Sequence, residues 1–383
     1  MEGEALTQDV TRLWRPTRID VDLDAVRDNV ARLRRGANTD VCAVVKADGY
    51  GHGAVPVARA ALAGGATWLA VALVEEGIVL REAGIDVPIL LLSEPALVAI
   101  NALLDGQLTP AVFTDGFIDA LDDAAVARDI MLDVHLKVDT GMSRVGVPEA
   151  LWSQRMAQLA SARRLRVTGM FTHLARADEP HEPTTSMQIS RFDAAVALAH
   201  EHGLKPTCNH TANSAGTLLH PDAHKDMVRP GIAIYGLSAD TDVDAADHGL
   251  VPALQLSCNV AFVKHIQAGT EVSYGHRWQA PHDGWLATLP IGYADGVPRA
   301  LRNQVDVLIG GRRKPMVGTV TMDQVLVFCG HDEPSIGDEV VLIGRQGDEQ
   351  VRVEAWAKAA DTITYEIVTQ LTARLPRHHH GLG

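Results

Sequence analysis

Lys46 occupies a position where a lysine can act as a covalent nucleophile. It follows the apolar run Val41–Val45 and precedes the glycine-rich turn Asp48–Gly53. A short apolar run bounded by glycines is typical of a strand buried on both faces, as in parallel sheets. Desolvation of an ammonium is costly, and a lowered pKa or condensation with an aldehyde would relieve that cost. Lys46 is therefore a candidate anchor for an aldehyde, although lysines at strand ends commonly extend into water instead.

A dinucleotide site is an alternative interpretation of the glycine-rich turn, since Glu75 and Glu76 lie near the end of the next apolar run. Gly49, Gly51 and Gly53 form G-x-G-x-G. The dinucleotide fingerprint is G-x-G-x-x-G, which turns a helix N-terminus toward the phosphates. The spacing therefore disfavours a dinucleotide.

Polar residues alternate with apolar ones along a later run. Asp133, His135, Lys137 and Asp139 lie on one face of this predicted strand. The loop that follows contains Arg144, whose guanidinium could bind a carboxylate through two hydrogen bonds. A structural ion-pair network is the alternative for these charges.

Three more runs end in hydrogen-bonding groups, near His173, Ser214 and Ile232. Ser214, with the backbone amides of Gly231 and Ile232, would suit a phosphate, because barrel proteins commonly bind phosphate beside their last strands. A lysine and a phosphate cradle together indicate a phosphorylated aldehyde as cofactor. Pyridoxal 5'-phosphate is the obvious one.

Eight apolar runs separated by helical segments predict the architecture that positions these groups. Alanine-rich segments such as Ala54–Ala63 and Ser190–His202 fit helices packed outside a sheet. This alternation predicts an α/β fold with a (β/α)8 TIM barrel, and a doubly wound open sheet is the alternative. The eight runs are Val41–Ala47, Trp68–Leu73, Pro88–Ser93, Leu108–Thr114, Asp133–Asp139, Val167–Leu174, Pro206–Asn213 and Met227–Tyr235.

A β-rich domain is expected to follow the barrel. After residue 245, apolar runs alternate with glycine-rich turns and show almost no helical periodicity until Glu354. The pattern alone does not assign the strand-like segment Thr17–Val21 to either domain. The polar tail His378–His380 is expected to be unstructured.

Composition excludes several classes of function. The net charge of −14 disfavours nucleic acid or an anionic membrane as a partner. The four cysteines have no C-x-x-C spacing and no H-E-x-x-H motif occurs, so we expect neither a disulfide framework nor a metal site. The absence of a signal-peptide pattern and of an uninterrupted apolar span favours a cytoplasmic protein.

The segment Ala43–Gly53 closely resembles the cofactor-attachment signature of bacterial alanine racemases, which are pyridoxal phosphate-dependent enzymes of fold type III. The C-terminal motifs separate the chain from barrel decarboxylases and from single-domain cofactor carriers, the two alternative functions. In chain order, the resemblance continues through Lys137–Arg144, Asn213–Ala215, Arg229–Ile232, Val272–Gly275, Gly292–Gly296, Met322–Gln324 and Tyr365–Glu366.

The resemblance implies an isomerase that interconverts L-alanine and D-alanine and supplies D-alanine for peptidoglycan. It implies a barrel over residues 22–245 and a β-rich domain formed by residues 1–21 and 246–383. It also implies a homodimer with shared active sites, in which the β-rich domain of one subunit contributes to the site of the other.

The resemblance assigns roles to individual residues. Lys46 would form the aldimine and remove the proton of D-alanine, and Tyr274 of the partner subunit would remove that of L-alanine. His173 would link Arg229 to that tyrosine, and Lys137 is carbamylated in some family members. The full set comprises cofactor contacts Lys46, Tyr50, His173, Ser214, Arg229, Gly231, Ile232 and Tyr365, substrate contacts Arg144 and Met322, and supporting or access-corridor residues Lys137, Asp178, Tyr293, Arg299 and Asp323.

Four sites depart from the family pattern. Thr319 stands where many members carry an arginine, and Arg176 stands where the residue is usually small. His276–Arg277 replace a more familiar Arg-Thr pair, and Ser143 replaces a common glycine. None of these changes removes a catalytic group, but they leave the preferred small amino acid open.

Overall fold

The computed structural model describes residues 15–239 and 243–382. The described residues up to Val21 form one compact unit with Leu254–His379, and Asp22–Ala253 form a second with the chain end from His380. The domain limits expected from the sequence stay a prediction, because proximity within one chain does not test whether either part folds by itself. Strand β1 (Thr17–Asp22) begins the regular structure.

Eight parallel strands form the core of the second unit. They pair in the order β8-β7-β6-β5-β4-β3-β2-β9. Backbone hydrogen bonds from Asp226 to Asn209 and from Arg229 to Ala212, both 2.9 Å, connect the two ends, so the barrel is nearly closed. The predicted TIM barrel is confirmed. Its strands are β2 (Asp40–Val44), β3 (Trp68–Val71), β4 (Ile89–Leu91), β5 (Thr109–Val112), β6 (Leu132–Lys137), β7 (Leu165–Phe171), β8 (Cys208–His210) and β9 (Met227–Val228).

The strands are apolar on both faces because helices cover the outside and side chains fill the inside. Val41–Val45 and Ile89–Leu91 are buried throughout, as expected for a parallel sheet. Several strands end earlier than their apolar runs. β9 stops at Val228 because Pro230 cannot donate to a ladder, and Ile232–Tyr235 forms a short 3-10 helix instead.

Helices alternate with the barrel strands. Asp22 caps the first helix by accepting a hydrogen bond from the Ala25 amide at 3.0 Å. Within the described ranges, no helix is both long and apolar enough to cross a membrane. The helices of this unit are α1 (Leu23–Ala37), α2 (Lys46–Tyr50), α3 (Ala54–Ala63), α4 (Val74–Glu82), α5 (Ile100–Asp105), α6 (Asp115–Ala127), α7 (Trp152–Ser161), α8 (Thr184–Glu201) and α9 (Ser214–Leu219).

The other unit is a largely antiparallel sheet in the order β11-β14-β17-β16-β15-β18-β10-β1-β20, with β19 on β18 and a separate β12-β13 pair. Thr17–Val21 pairs antiparallel with β10, so this segment belongs to the β-rich unit. The strands are β10 (Leu254–Asn259), β11 (Phe262–Ile266), β12 (Glu271–Val272), β13 (Trp278–Gln279), β14 (Gly284–Leu289), β15 (Asp306–Ile309), β16 (Arg312–Val317), β17 (Val325–Gly330), β18 (Glu339–Gln346), β19 (Glu349–Val351) and β20 (Arg377–His380), and the helices are α10 (Val353–Ala359) and α11 (Thr364–Thr369).

The expectation of an unstructured tail at His378–His380 was wrong. These residues form β20 beside β1, and the Ile19 amide donates to the Pro376 carbonyl at 2.9 Å. The Arg377 guanidinium fixes the start of the strand by donating to the carbonyls of Leu371 and Thr372, each at 2.7 Å. A polar run forms a strand here because the edge of β1 supplies backbone partners.

Candidate active site

Lys46 begins a left-handed turn at the end of β2. Ala47, Asp48, Gly49 and Tyr50 have φ angles of 52°, 50°, 60° and 52°. Only glycine adopts this conformation without steric cost, so the surrounding contacts must hold the turn in place. The segment α2 is therefore an irregular turn, and it places Lys46 at the C-terminal end of β2, on the rim of the barrel.

The environment of Lys46 favours its neutral amine. The side chain is half-buried, and burial lowers the pKa of the Lys46 amine from its ordinary value. The Arg144 cation lowers this pKa further, whereas the Glu76 carboxylate raises it. A larger neutral fraction makes the nitrogen a better nucleophile.

Ser214, Gly231 and Tyr50 form a cradle at the ends of the last strands. Ser214 Oγ accepts hydrogen bonds from the amides of Gly231 at 2.9 Å and Ala233 at 3.3 Å. A Cβ added at Gly231 would lie 2.4 Å from the Tyr50 hydroxyl, so only glycine leaves this space open. Buried Ile232 continues the same loop. The amides of Gly231 and Ala233 converge on the Ser214 hydroxyl, and a phosphate that accepts from this hydroxyl, from the Tyr50 hydroxyl and from amides of the loop would fit such a group of donors.

Arg229 is a buried cation that faces into the barrel mouth. Its Nη1 donates to His210 Nδ1 at 2.8 Å and to the His210 carbonyl at 2.9 Å. Its Nη2 donates to the carbonyls of Thr172 at 2.7 Å and Thr211 at 3.2 Å. These contacts use all four hydrogens on Nη1 and Nη2 of Arg229. With respect to the described residues, the Nε–H group of Arg229 is therefore the donor that remains for a ligand. Burial lowers the pKa of Arg229 to about 10, which keeps the group cationic at neutral pH.

The bond from Arg229 fixes the proton positions of two buried histidines. Arginine can only donate, so His210 Nδ1 accepts, and its Nε2–H donates to His135 Nδ1 at 2.9 Å. The proton of His135 is then on Nε2, which has no hydrogen-bond partner within residues 15–239 and 243–382. Gly169 makes room for this ring, because a Cβ there would lie 2.6 Å from it.

Both histidines are neutral at physiological pH. Burial and the Arg229 cation lower the pKa of His135 to about 4 and that of His210 well below its usual value. The sequence favoured His173 as the histidine partner of Arg229, but the hydrogen bond from Arg229 goes to His210. The role of His173 in cofactor binding stays a prediction.

Lys137 lies at the end of β6, deep in the same mouth. Its Nζ donates to the Leu92 carbonyl at 2.8 Å and lies 5.1 Å from the centre of the Phe171 ring. Burial and neighbouring cations lower the pKa of Lys137 to about 7. Lys137, Arg144 and His173 line one small cavity. Part of the Lys137 population is thus a neutral amine at neutral pH.

Arg144 is exposed in a loop that Asp139 organises. The Asp139 Oδ1 accepts hydrogen bonds from the amides of Gly141, Met142 and Ser143 at 2.9, 3.0 and 3.0 Å. Ser143 has a φ of 57°, a conformation that favours glycine. The serine at this position is therefore tolerated at some backbone cost.

Gln188 is a supporting residue that the sequence did not indicate. Its Nε2 donates to Thr140 Oγ1 at 3.2 Å and to the His173 carbonyl at 3.0 Å. Its Oε1 accepts from the Ala175 amide at 2.8 Å. The sequence could have indicated Gln188 only as a polar residue on the buried face of α8. Many helices carry such a residue without any role in function.

Tyr274 lies in the β-rich unit, in the loop that joins β12 and β13, and the residue is 76% exposed. Thr319 Oγ1 donates to the Tyr274 carbonyl at 2.7 Å, and Ser273 Oγ donates to the Thr319 carbonyl at 2.8 Å. Thr319 is buried. The residue that departs from the family pattern thus supports the Tyr274 loop.

Met322 and Tyr293 occupy two adjoining loops of the same unit. The two residues are 53% and 41% exposed, respectively. The Tyr293 amide donates to the Thr321 carbonyl at 2.9 Å, and the Ala294 amide donates to the Met322 carbonyl at 3.0 Å. The two loops are therefore held together by backbone hydrogen bonds.

The remaining predicted residues lie at separate places. Asp323 pairs with Arg374 at 2.7 Å, Arg299 is exposed at the start of a short 3-10 helix, and Tyr365 lies in α11. In the barrel unit, Asp178 lines a cavity of about 520 Å³. Arg176 is paired with Glu179 and, at 3.4 Å, with Glu182, so carboxylates offset the added charge.

The structure thus brings one set of predicted residues to the C-terminal ends of the barrel strands. A second set lies in the β-rich unit. The first set is Lys46, Tyr50, Lys137, Arg144, His173, Ser214, Arg229, Gly231 and Ile232, and the second is Tyr274, Tyr293, Arg299, Met322, Asp323 and Tyr365.

Comparisons with known proteins give one family over nearly the whole chain. Residues 21–239 match the family model for the alanine racemase N-terminal domain, and residues 253–379 match that for the C-terminal domain. The chain is 48% identical over 369 residues to an alanine racemase of Symbiobacterium thermophilum, covering 96% of this chain and 98% of that protein. It is 45% identical over 365 residues to an alanine racemase of Thermobifida fusca, covering 94% and 97%. The crystal structure of alanine racemase from D-cycloserine producing Streptomyces lavendulae matches with a TM-score of 0.93 at 38% identity, covering 97% of this chain and 98% of that chain.

Proposed function

The chain belongs to the alanine racemase family, and we propose that it interconverts L-alanine and D-alanine with pyridoxal 5'-phosphate as cofactor. The observation that carries the proposal is the grouping of Lys46, Arg229 and the Ser214–Gly231 cradle at one end of the barrel. A lysine for the aldehyde, an Asp or Arg partner for the ring nitrogen and a phosphate site are the groups by which proteins hold this cofactor, and the barrel unit offers one of each.

The residues present fit the cofactor. The neutral form of Lys46 could bond to its aldehyde carbon, and the remaining Nε–H of Arg229 could donate to the ring nitrogen. Tyr50, Ser214, Gly231 and Ile232 would hold the phosphate, with Tyr365 as a further contact carried over from the family. When bound, the cofactor would supply the electron-withdrawing system that acidifies the Cα–H bond of the amino acid. Arg229 would limit protonation of the ring nitrogen, because a nearby cation disfavours a second positive charge.

Racemisation requires two bases on opposite faces of the substrate. We assign the proton of D-alanine to Lys46 and the proton of L-alanine to Tyr274 of the partner subunit. Tyr274 is exposed in the single chain, whereas a tyrosine that transfers a proton needs a site that excludes water. This supports the assignment, because a partner subunit could cover Tyr274 and exclude water from it. Met322 and Tyr293 are exposed in the same unit, as expected for a surface that a partner would cover.

Arg144 and the Met322 amide are proposed to bind the substrate carboxylate. Lys137 would support Arg144, and its lowered pKa leaves an amine able to react with carbon dioxide to form a carbamate. The access corridor would include Tyr293, Arg299 and Asp178, with Asp323 in a supporting role. We also expect a cytoplasmic homodimer that supplies D-alanine for peptidoglycan.

The test follows both enantiomers of alanine in heavy water with the purified, cofactor-loaded protein. The proposal predicts loss of optical activity from either side together with exchange of the Cα proton for deuterium. Borohydride reduction followed by peptide mass analysis should place the cofactor on Lys46. Release of carbon dioxide without racemisation would instead indicate a decarboxylase. If the protein binds the cofactor but catalyses neither reaction, it would be a cofactor carrier.

A further inference from the structure

Glu76 connects the turn after Lys46 to the neighbouring barrel strand. Its Oε1 accepts a hydrogen bond from the Ala47 amide at 2.6 Å. Its Oε2 accepts from the amides of Ala72 at 2.9 Å and Leu73 at 3.1 Å, just beyond the end of β3. One carboxylate thus joins two adjacent strand ends. Hydrogen bonds to an ionised acceptor are shorter and stronger than neutral ones.

The turn needs such a contact because its backbone is strained. Three of its four left-handed residues, Ala47, Asp48 and Tyr50, are not glycine. Left-handed backbone in these residues persists only when the surroundings enforce it. The bond from Ala47 to Glu76 fixes the first left-handed residue, which is directly bonded to Lys46. The direction of the Lys46 side chain therefore depends on this bond.

Glu76 also acts on the charge of Lys46. Burial is the main cause of the lowered pKa of Lys46. Among the described charged groups, Arg144 lowers this pKa further and Glu76 raises it. The charge of Lys46 in turn lowers the pKa values of Lys137 and His173. The Glu76 carboxylate thus favours the charged form of Lys46, whereas the Arg144 cation disfavours it.

We propose that Glu76 is the positioning residue for Lys46, which it holds by clamping the left-handed turn to the end of β3. The inference rests on the proposed role of Lys46 as the cofactor anchor. A role confined to α4 is the structural alternative, since Glu76 lies in the first turn of that helix and bonds back to the Leu73 amide. The bond to Ala47 is outside α4, and it is this bond that distinguishes the two roles.

The experiment measures how fast the cofactor-free, full-length protein captures pyridoxal 5'-phosphate across a pH series. In capture, the Lys46 nitrogen bonds to the aldehyde carbon and one water is released. Borohydride then fixes the adduct, and peptide mass analysis confirms its position. The variants are Glu76→Gln, Glu76→Asp and, as the matched control, Glu75→Gln, which changes an exposed carboxylate in the same helical turn.

Glu76→Gln should slow capture at the high-pH plateau by about tenfold or more, since small misplacements of a reacting group have large effects on rate. Its pH midpoint should also move to lower pH, because the charge that raises the pKa of Lys46 is lost. Glu76→Asp keeps the charge but is one methylene shorter, so its plateau should fall while its midpoint stays. Glu75→Gln should match the wild type in both quantities.

Equal plateau rates and midpoints for Glu76→Gln and Glu75→Gln would overturn the inference while leaving the proposed function intact. If Glu76→Gln fails to fold, Glu76→Asp decides the matter, and a wild-type plateau in that variant would reject the clamp. Absence of an adduct at Lys46 in the wild type would overturn the proposed function itself.

Discussion

At the scale of single residues, Arg229 gives the barrel mouth its chemical character. It places a cation with one remaining donor beside two neutral histidines, His210 and His135. Nearby Lys46 and Lys137 both have lowered pKa values. The site thus combines a permanent cation with amines that can lose their charge, which suits an anionic cofactor and proton transfer.

The sequence singled out Lys46 and Ser214, which the structure places at the C-terminal ends of the barrel strands, but it did not predict the hydrogen bonds that join Arg229, His210 and His135. Lys46 stands out locally, because an apolar run and glycines flank it. Arg229 and His210 are 19 positions apart, and His210 and His135 are 75 apart. Only the strand order brings these side chains together, because β6 and β8 flank β7 and the barrel closes between β8 and β9, and no local pattern carries that information. The clamp by Glu76 was missed for the same reason. The catalytic and binding roles of the predicted residues stay predictions.

Gly231→Ala tests the phosphate cradle. The added Cβ would lie 2.4 Å from the Tyr50 hydroxyl. Overpacking of this kind typically costs ~1–3 kcal/mol, and if this cost falls on the cofactor site, the affinity for pyridoxal 5'-phosphate should fall by about fivefold to 150-fold. Gly36→Ala in α1 is the control, because nothing lies within 4 Å of its added Cβ. Equal cofactor affinities for the two variants, measured by absorbance titration, would contradict the assignment of the cradle.

At the scale of secondary structure elements, the sequence predicted which segments form strands better than where they end. The apolar runs mark the eight barrel strands, but β2 and β9 stop before their runs do. The left-handed turn that begins at Lys46 ends the pairing of β2, and Pro230 ends the pairing of β9. In both cases the chain continues with apolar side chains beyond the last paired residue. The tail strand β20 was missed because its pairing depends on the edge of β1, which is more than 350 residues away in the chain.

The loop between β12 and β13 provides the prediction at this scale. Thr319→Val removes the hydroxyl that donates to the Tyr274 carbonyl at 2.7 Å. We expect a loss of about 1 kcal/mol in the free energy of unfolding. We also expect turnover of L-alanine to fall by about tenfold, since the base loses its orientation. Thr319→Ser, which keeps the hydroxyl, should restore both.

The measurements are denaturant unfolding and initial rates from each enantiomer. Capture of the cofactor by Lys46 should be the same in both Thr319 variants. Wild-type turnover of L-alanine in Thr319→Val would show that this hydrogen bond does not orient Tyr274.

At the scale of the whole molecule, the predicted fold and family are both confirmed. The (β/α)8 barrel is followed by a β-rich unit, and the family models match both parts. The barrel was predictable because alternating strands and helices leave few topologies. The family was predictable because its motifs recur in order along nearly the whole chain.

Two buried histidines, His135 and His210, and the half-buried His173 should make the stability of the protein depend on pH. The pKa of His135 is lowered to about 4, and those of His173 and His210 are lowered well below their ordinary value. The unfolded chain binds protons on these residues below about pH 6.5, where the folded chain does not. Stability should therefore fall as pH drops from about 6.5 toward 4, by up to ~1.4 kcal/mol per pH unit for each histidine.

Denaturant unfolding of the cofactor-free protein across this pH range measures the effect. His135→Gln should reduce the slope of stability against pH by the share of one histidine. The control is His331→Gln, at an exposed position, which should leave the slope unchanged. A stability that stays constant or rises on acidification would show that these histidines do not remain neutral in the folded protein.

The most direct test of shared active sites uses heterodimers purified through two different tags. One pairs a Lys46→Ala chain with a Tyr274→Phe chain, and the other pairs the double variant with the wild type. If Lys46 and Tyr274 of the partner subunit form one site, the first heterodimer has one intact site of two and should racemise alanine at about half the wild-type rate, and the second should be nearly inactive. An inactive first heterodimer with a half-active second would place both bases in one chain and contradict the account.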